Sequence, residues 1–402
     1  MEKLTVAFVG CGSFAQHFVP LFQHHPFVEK VYVCDLIEEN AKKYSEKFSC
    51  EIIPTFEDCL AKEDVNCIAI FTERHTHAPF TIAALNAGKH VYSAVPMACT
   101  PEECRDIIEA VKRTKLTYMM GETCIYYPCS MYCKQEMQNG TFGKFVFGES
   151  QYFHDLSHFS EKFRNHNDSA ALPPFFYPTH STAMILNATG AYATKVTAFG
   201  YRDTEENSFF GEDKNSWGNV FSNEYSLMQL SNGGVARVSE CRRIGYKSPS
   251  SYISGFYGTK GSYQFSNAQH IVTTLTKEGV DLKEVSDEVN SYQMIAGKQD
   301  PEYKKKAANH VWQWNSFSPI QKDDIDRLPE EYKAIEKING HMGSHQFLVD
   351  DFCKAAYNGT LPPVNAWQAA RFTIPGLIAH ESAKLGGVPL DIPDYGDAPE
   401  KL

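Results

Sequence analysis

The first thirty-five residues constrain the fold more than any other part of the chain. Residues 4–10, LTVAFVG, form an apolar run that closes on glycine, as a buried parallel strand does. GCGSFA follows, a G-x-G-x-x-A turn from Gly10 to Ala15, and an apolar-periodic segment continues to Phe22. KVYVCD then supplies a second strand ending on Asp35. A dinucleotide needs this order. Gly10 permits the tight turn, Gly12 lets the backbone approach a pyrophosphate, and Ala15 allows helix to pack closely on strand. Ser13 and Phe14 fill the variable positions of the turn and are counted with it as cofactor-binding residues. A carboxylate at Asp35 can accept hydrogen bonds from both ribose hydroxyls and repels a 2′-phosphate, so NAD is expected rather than NADP.

The βα alternation continues. CIAIFT (67–72) reads as a strand, residues 79–87 as a helix, and KHVYSAV (89–95) as the next strand. Thr100 is an N-cap, Pro101 takes the first helical position, and acidic residues follow in the first turn. LTYMMGE (116–122) is a further strand. The pattern predicts a Rossmann doubly wound parallel sheet whose ligands lie at the carboxyl ends of its strands. Thr72, Glu73, His77, Pro96 and Glu122 fall at that edge, and Thr72, His77, Pro96 and Glu122 join the predicted cofactor set. Residues 1–122 thus read as an NAD-binding domain.

After Glu122 the alternation stops. Residues 130–145 suggest a helix and a glycine turn. Strand candidates follow in FVFGESQYFH, KVTAFGYR, SNEYSLMQL, GGVARVSECRRIG, SYISGFYG, GSYQFSN and HIVTTLTK. The hairpin signal Ser231-Asn232-Gly233-Gly234 implies a largely antiparallel sheet. Residues 281–337 are polar and irregular, suggesting a long excursion or lid, and helical patterns span 343–359 and 365–387. The fold class is α/β plus α+β, with residues 123–402 as a substrate-binding α+β domain carrying a large open, mostly antiparallel sheet.

Composition removes whole classes of partner. At 402 residues the chain is long enough for two domains. A net charge of −11 argues against nucleic acid and anionic membrane surfaces, which need clustered positive charge. No apolar run approaches the roughly 18 residues of a membrane span, and the N-terminus lacks the pattern of a signal peptide. Twelve cysteines then read as reduced thiols in a cytoplasmic protein. Cys129 and Cys133 share a helical face, but no histidine pair lies at metal spacing nearby, so no metal is expected.

With these pieces in place the chain resembles the Gfo/Idh/MocA superfamily, the glucose-fructose oxidoreductase and inositol dehydrogenase group. The resemblance is carried by AFVGCGSFAQ, Thr72 through His77, ALNAGKHV, Pro96, NGTFGKF, HMGSHQFLVDDF and HESAKLGGVPLDIPD. It implies hydride transfer on a sugar, and a homo-oligomer, a dimer or tetramer, built on the open sheet face. Two positions depart from the dehydrogenase pattern. Ala94-Val95-Pro96 stands where the family reads E-K-P, so the catalytic lysine is replaced by Val95. Phe176 stands where the family's D-x-x-x-H carries its acid, while His180 remains.

Both departures are similar to the NAD-dependent glycosidases of glycoside hydrolase family 109, which read E-V-P and Y-P-T-H at these places. MGETC and SQYFHDL likewise resemble segments of that group. Such enzymes oxidise a sugar C3 hydroxyl, eliminate the aglycone, add water and reduce the ketone again. The resemblance points to Glu122, Tyr152, His154, Tyr177 and His180 as catalytic residues.

Residue chemistry agrees with part of this. Oxidising a carbinol needs a base for the hydroxyl proton, and imidazole titrates near neutrality, which suits His180 with Tyr177 beside it. On a strand Tyr152 and His154 share one face, while Phe153 and Asp155 point to the other. Glu122 could contact ribose or sugar, or be a surface carboxylate. His341 and His345 are four apart, as neighbours on a helix face would be, and are open to substrate contact, capping or plain exposure. Arg242 and Arg243 suit either an anionic substrate group or a solvated sheet edge. Three functions remain open: a sugar oxidoreductase with net redox change, a redox-neutral glycosidase acting on a small glycoside, and a catalytically silent NAD-binding sensor.

Overall fold

The computed structural model describes residues 2–156, 171–206, 208–245, 250–265, 269–291, 317–335 and 340–402. The chain divides into two compact units, Met1–Tyr126 with Asn290–Ala370 and Tyr395–Leu402, and Tyr127–Val289 with Arg371–Asp394.

The first unit holds a six-stranded sheet: β1 Leu4–Val9, β2 Val28–Cys34, β3 Glu51–Ile52, β4 Cys67–Ile70, β5 His90–Ser93 and β6 Tyr118–Met120. Its order is β3-β2-β1-β4-β5-β6, and every neighbouring pair is parallel. Chain order reverses between β1 and β4, the switch point at which such sheets bind ligands. Every residue of β1 is buried, as its unbroken apolar run requires. Phe8 packs edge-on to Phe22 at 5.2 Å and stacks on Phe71 at 5.4 Å. The helix Pro101–Thr114 begins with a capping box in which Thr100 and Glu103 satisfy each other's backbone amides. The expected first helix is broken up. Ala15–His17 forms a single 3₁₀ turn, and the α-helix covers only Val19–Gln23, with Pro20 in its first turn.

A third stretch completes this unit. The helix Ser344–Asn358 lays Phe352 against Phe22 (6.0 Å) and Tyr92 (5.6 Å). Buried His25 and Asp350 meet at 3.3 Å, and Arg327 bonds Asp350 at 2.7 Å and Asp351 at 3.0 Å. A division at residue 122 puts this helix with the second half of the chain. Its apolar face finds its partner over 250 residues upstream, a pairing that helix periodicity cannot reveal.

Among its described residues the second unit has nine strands: β7 Phe145–Phe153, β8 Ala193–Arg202, β9 Phe221–Leu230, β10 Val235–Cys241, β11 Ser251–Gly258, β12 Gly261–Phe265, β13 His270–Thr276, β14 Gly279–Glu284 and β15 Leu390–Asp391. The order is β14-β13-β12-β11-β7-β10-β9-β8-β15. Only β7 and β10 run parallel; the other neighbours are antiparallel, as the hairpin signals imply. The helix Thr179–Thr189 covers one face, close enough that a Cβ on Gly148 would lie 2.8 Å from Ile185. On the other face Phe199, Tyr225 and Leu227 are exposed, with Phe199 directly opposite Tyr225.

The expected irregular excursion from residue 281 is corrected at its start. Asp281 lies inside β14, a strand exposed along its whole length, and a short helix Ser286–Val289 follows. Val280 and Leu282 do alternate with Asp281 and Lys283, but the run is short and polar, and none of its six residues is buried. The rest of that stretch is described only at 290, 291 and 317–335; residues 292–316 and 336–337 lie outside the described residues. Among the described residues no helix is long and apolar enough to cross a membrane.

Candidate functional site

In the first unit the glycine turn is held from below. Gly10 has φ +98°, and a Cβ there would lie 2.5 Å from the Phe71 carbonyl oxygen, so only glycine fits. Gly12 differs: its φ is ordinary, and among the described residues a Cβ there would meet no atom within 4 Å. Nothing inside the described chain demands glycine at that point, which fits a backbone kept bare for a ligand. The Cys11 amide donates to Asp35 Oδ2 at 2.7 Å, and the Ile37 amide to Asp35 Oδ1 at 2.8 Å. Asp35 therefore ties the glycine turn to the end of β2, and a carboxylate has lone pairs left for ribose hydroxyls. The Tyr44 hydroxyl bonds the Gly12 carbonyl. These features suit a dinucleotide.

Phe14 packs edge-on against His341 and His345, each at 5.5 Å. The expectation of one helical face for the two histidines needs correcting. The helix begins only at Ser344, and His341 stands in the preceding turn with φ +50°. Their rings still meet, His345 Nε2 to His341 Nδ1 at 2.9 Å. His345 is fully buried, and desolvation, with His341 and His17 adding to it, pushes its pKa well down. Ser13 contributes its carbonyl to Gln16 at 2.8 Å.

The loops after β4 and β5 are stitched together by His77. Its Nδ1 lies 2.7 Å from the Pro96 carbonyl oxygen and its Nε2 3.1 Å from that of Thr72, while the Thr72 and Thr76 hydroxyls meet at 2.6 Å. His77 is 1% exposed, and burial lowers its pKa. Both ring nitrogens face backbone carbonyls, so His77 positions these loops rather than reaching outward. Lys89 escaped the sequence reading. It is buried and donates to the carbonyls of Lys62 (3.0 Å) and Val65 (2.6 Å). Val95, in the place of the family lysine, is buried as well. Glu122 is fully buried, which rules out a surface carboxylate; its Oε1 accepts from the Cys124 amide at 2.8 Å.

The second unit gathers four of the five residues expected to be catalytic. Tyr152 stands near the end of β7, and His180 lies in the first turn of the helix Thr179–Thr189, just after Tyr177. The Tyr152 and Tyr177 rings each meet His180 edge-on at 5.0 Å, and lie 6.0 Å from each other. His154 stacks on Tyr152 at 5.2 Å, the shared face that strand alternation predicts. Phe153 points the other way, to Tyr252 at 6.1 Å. Asp155 Oδ2 accepts from the amides of Ile244 (2.9 Å) and Gly245 (2.8 Å), a structural task. Glu122 belongs to the first unit.

The turn that presents Tyr177 and His180 is fixed on several sides. A Cβ on Gly376 would lie 2.5 Å from the Phe175 carbonyl oxygen, so the last helix touches the turn there. Phe176, in the place of the family acid, packs on His380 at 5.1 Å. Arg242 is no solvated edge charge: it is buried and bonds Glu240 at 3.1 Å. Arg243 Nε lies 3.7 Å from Asp203 Oδ2. Buried Glu224 and Glu240 were missed, although a signal exists. Glu224 shares parity with buried Met228 and Leu230, and Glu240 with buried Ala236 and Val238. Cys129 and Cys133 are buried in the helix Pro128–Gln138, and desolvation pushes the Cys129 thiol up to about 11.

Residues 4–122 match the Gfo/Idh/MocA family, described as an oxidoreductase family with an NAD-binding Rossmann fold. The chain is similar to a glycosyl hydrolase family 109 protein of Streptomyces filamentosus, 23% identical over 432 residues, covering 98% of this chain and 78% of that relative. A glycosyl hydrolase family 109 protein of Shewanella baltica is 29% identical over 168 residues, 39% of this chain and 36% of that relative. Among solved structures, an oxidoreductase domain protein from Kribbella flavida matches with TM-score 0.74 at 16% identity, over 98% of this chain and all of that one. A levoglucosan dehydrogenase in complex with NADH and L-sorbose matches with TM-score 0.74 at 19% identity, over 98% of this chain and 100% of the other. A putative myo-inositol dehydrogenase from Sinorhizobium meliloti gives 0.67 at 15%, over 97% and 100%. These structures share the fold.

Proposed function

We propose, from the membership of residues 4–122 in the NAD-binding Rossmann domains of the Gfo/Idh/MocA oxidoreductase family, that this chain is an NAD-dependent enzyme acting on a sugar or sugar derivative by hydride transfer. Residues 1–122 hold the cofactor through Gly10, Gly12, Ser13, Phe14 and Asp35, with Thr72, His77, Pro96 and Glu122 shaping the loops beside them. Within residues 123–402, the second unit, Tyr127–Val289 with Arg371–Asp394, carries the groups that handle the sugar. Bound NAD supplies the acceptor for the carbinol hydride. His180 takes the hydroxyl proton as that carbon is oxidised, and Tyr177 orients the imidazole or shares the proton. The observation that carries this reading is the ring contact of His180 with both Tyr152 and Tyr177 at 5.0 Å.

One further observation favours redox-neutral glycoside cleavage as a second reading. Tyr152 provides a second proton acceptor in contact with His180, as abstraction of a C2 proton would require, and curated relatives carry the name glycosyl hydrolase family 109. In that reading Tyr152 with His154 would remove the C2 proton of a 3-keto sugar so that the aglycone could leave from C1 and water add there, while bound NAD would supply both the first oxidation and, as NADH, the hydride that restores C3. The ring cluster gives no support to a silent NAD sensor. The open sheet face bearing Phe199, Tyr225 and Leu227 is the surface we assign to a second copy of the chain.

The test is to incubate the protein with aryl glycosides and free sugars while following NADH absorbance and aglycone release together. Steady NADH formation from a free sugar supports net oxidation. Aglycone release that needs NAD but accumulates no NADH supports cleavage. Neither signal across the panel would refute both.

A further inference from the structure

The buried charge of the second sheet converges on the turn that presents His180. Glu240 on β10 pairs directly with Glu224 on β9, and both are fully buried. Like charges opposite one another weaken a sheet, and a buried carboxylate is costly unless it is bonded. Both carboxylates are bonded, and to the same segment. Glu224 Oε2 accepts from the Phe175 amide at 2.8 Å, while its Oε1 meets His380 Nδ1 at 2.7 Å. Glu240 Oε1 accepts from the hydroxyl of Ser181, the neighbour of His180, and its Oε2 accepts from Arg242 Nη2 at 3.1 Å. Arg242 also reaches the Pro174 carbonyl at 3.4 Å, and its guanidinium carbon lies 4.9 Å from the centre of the Tyr152 ring.

Glu240 is therefore bonded on one side to the helix start that carries His180. On the other side it holds the cation that lies over Tyr152. We propose that Glu240 is a positioning residue, which through Ser181 and Arg242 fixes His180 and Tyr152 in their ring contact. This rests on the reading of those two residues as the proton-transfer pair. Among the described residues of the second unit, the charged and titratable groups beside the contact include Glu240 and Arg242 from β10 and its end, His154 after β7, and Tyr177 from the turn. Removing an anion from this set lowers the pKa of the groups that remain, since it destabilises imidazolium and relieves phenolate.

The test uses the full chain with NAD and compares E240Q, E240D and S181A with wild type. Each is read by NAD affinity, by turnover against pH, and by NMR titration of the His180 imidazole. In E240Q turnover is expected to fall about 10- to 100-fold, as misplacement of a reacting group by about 1 Å costs. NAD affinity should stay within about twofold, as Glu240 lies outside the residues assigned to the cofactor. The pH profile of turnover should shift to lower pH, and E240D should recover part of the loss. S181A keeps the Glu240–Arg242 pair and cuts only the bond from Glu240 to the helix start, so turnover should fall by less than in E240Q while NAD affinity holds. Unchanged turnover in both E240Q and S181A, with an unmoved titration in E240Q, would overturn the proposal. If the wild type turns over no sugar or glycoside, the functional reading fails, and the His180 titration in E240Q, with the charge-keeping E240D as control, still decides the inference: lowered in E240Q alone supports it, unmoved refutes it.

Discussion

Replacing Asp35 with alanine separates a ribose ligand from a loop anchor. The carboxylate accepts the Cys11 amide at 2.7 Å and the Ile37 amide at 2.8 Å. Cys11 is buried, so its orphaned amide would cost about 1–3 kcal/mol, whereas the exposed Ile37 amide finds water. If Asp35 also accepts the two ribose hydroxyls of NAD, two charge-assisted bonds of about 1.5 kcal/mol each disappear. At about 1.4 kcal/mol per tenfold, NAD affinity should drop about 100-fold. Calorimetric titration with both NAD and NADP identifies the cause. Loss of the ribose contact weakens NAD far more than NADP, because removing the anion also removes its repulsion of the 2′-phosphate; the NAD-to-NADP ratio should collapse by at least about tenfold. Equal loss for both cofactors would reduce Asp35 to a loop anchor. Undiminished NAD affinity would refute the ribose contact altogether.

Gly10→Ala should destabilise the first unit by about 2–4 kcal/mol, from left-handed backbone strain plus a Cβ driven against the Phe71 carbonyl; an unchanged denaturant midpoint would contradict this. His90 Nδ1 accepts the Thr117 amide at 3.0 Å, and burial pushes its pKa down to about 4. The unfolded chain therefore binds more protons between pH 6.5 and 4, so this stability is present above about 6.5 and fades as pH falls towards 4. Its upper bound is about 3 kcal/mol. His90→Asn, which keeps an acceptor without a proton site in this range, should flatten the pH dependence; an identical slope would contradict the cause given.

What could be read from the sequence was local. The strand closing on Gly10, the turn to Ala15 and Asp35 after the second strand each carry their own signal, and the structure joins them by the bond from Cys11 to Asp35. Alternation along β7 likewise gave the shared face of Tyr152 and His154. The support of the second unit was harder to see. Glutamate in a strand suggests solvent, and only its parity with buried neighbours marks Glu224 and Glu240 as inward. Arg242 follows a strand end, where exposure is the ordinary outcome, and its burial depends on Glu240 and on Pro174, 68 residues away. Phe352 finds Phe22 across a still longer separation. His77 and Lys89 sit in recognisable motifs but serve backbone carbonyls, a role that residue type alone does not suggest.

Hydride transfer with His180 as proton acceptor can be followed in a single turnover. A sugar substrate deuterated at the reacting carbinol carbon is mixed with NAD-loaded wild type and with H180N, and deuterium at the nicotinamide is read by mass spectrometry. Wild type should transfer the label. H180N should bind NAD as wild type does and transfer it at least about 100-fold more slowly, the scale of general-base catalysis. Transfer by H180N at the wild-type rate would remove His180 from the chemistry and contradict the proposed mechanism.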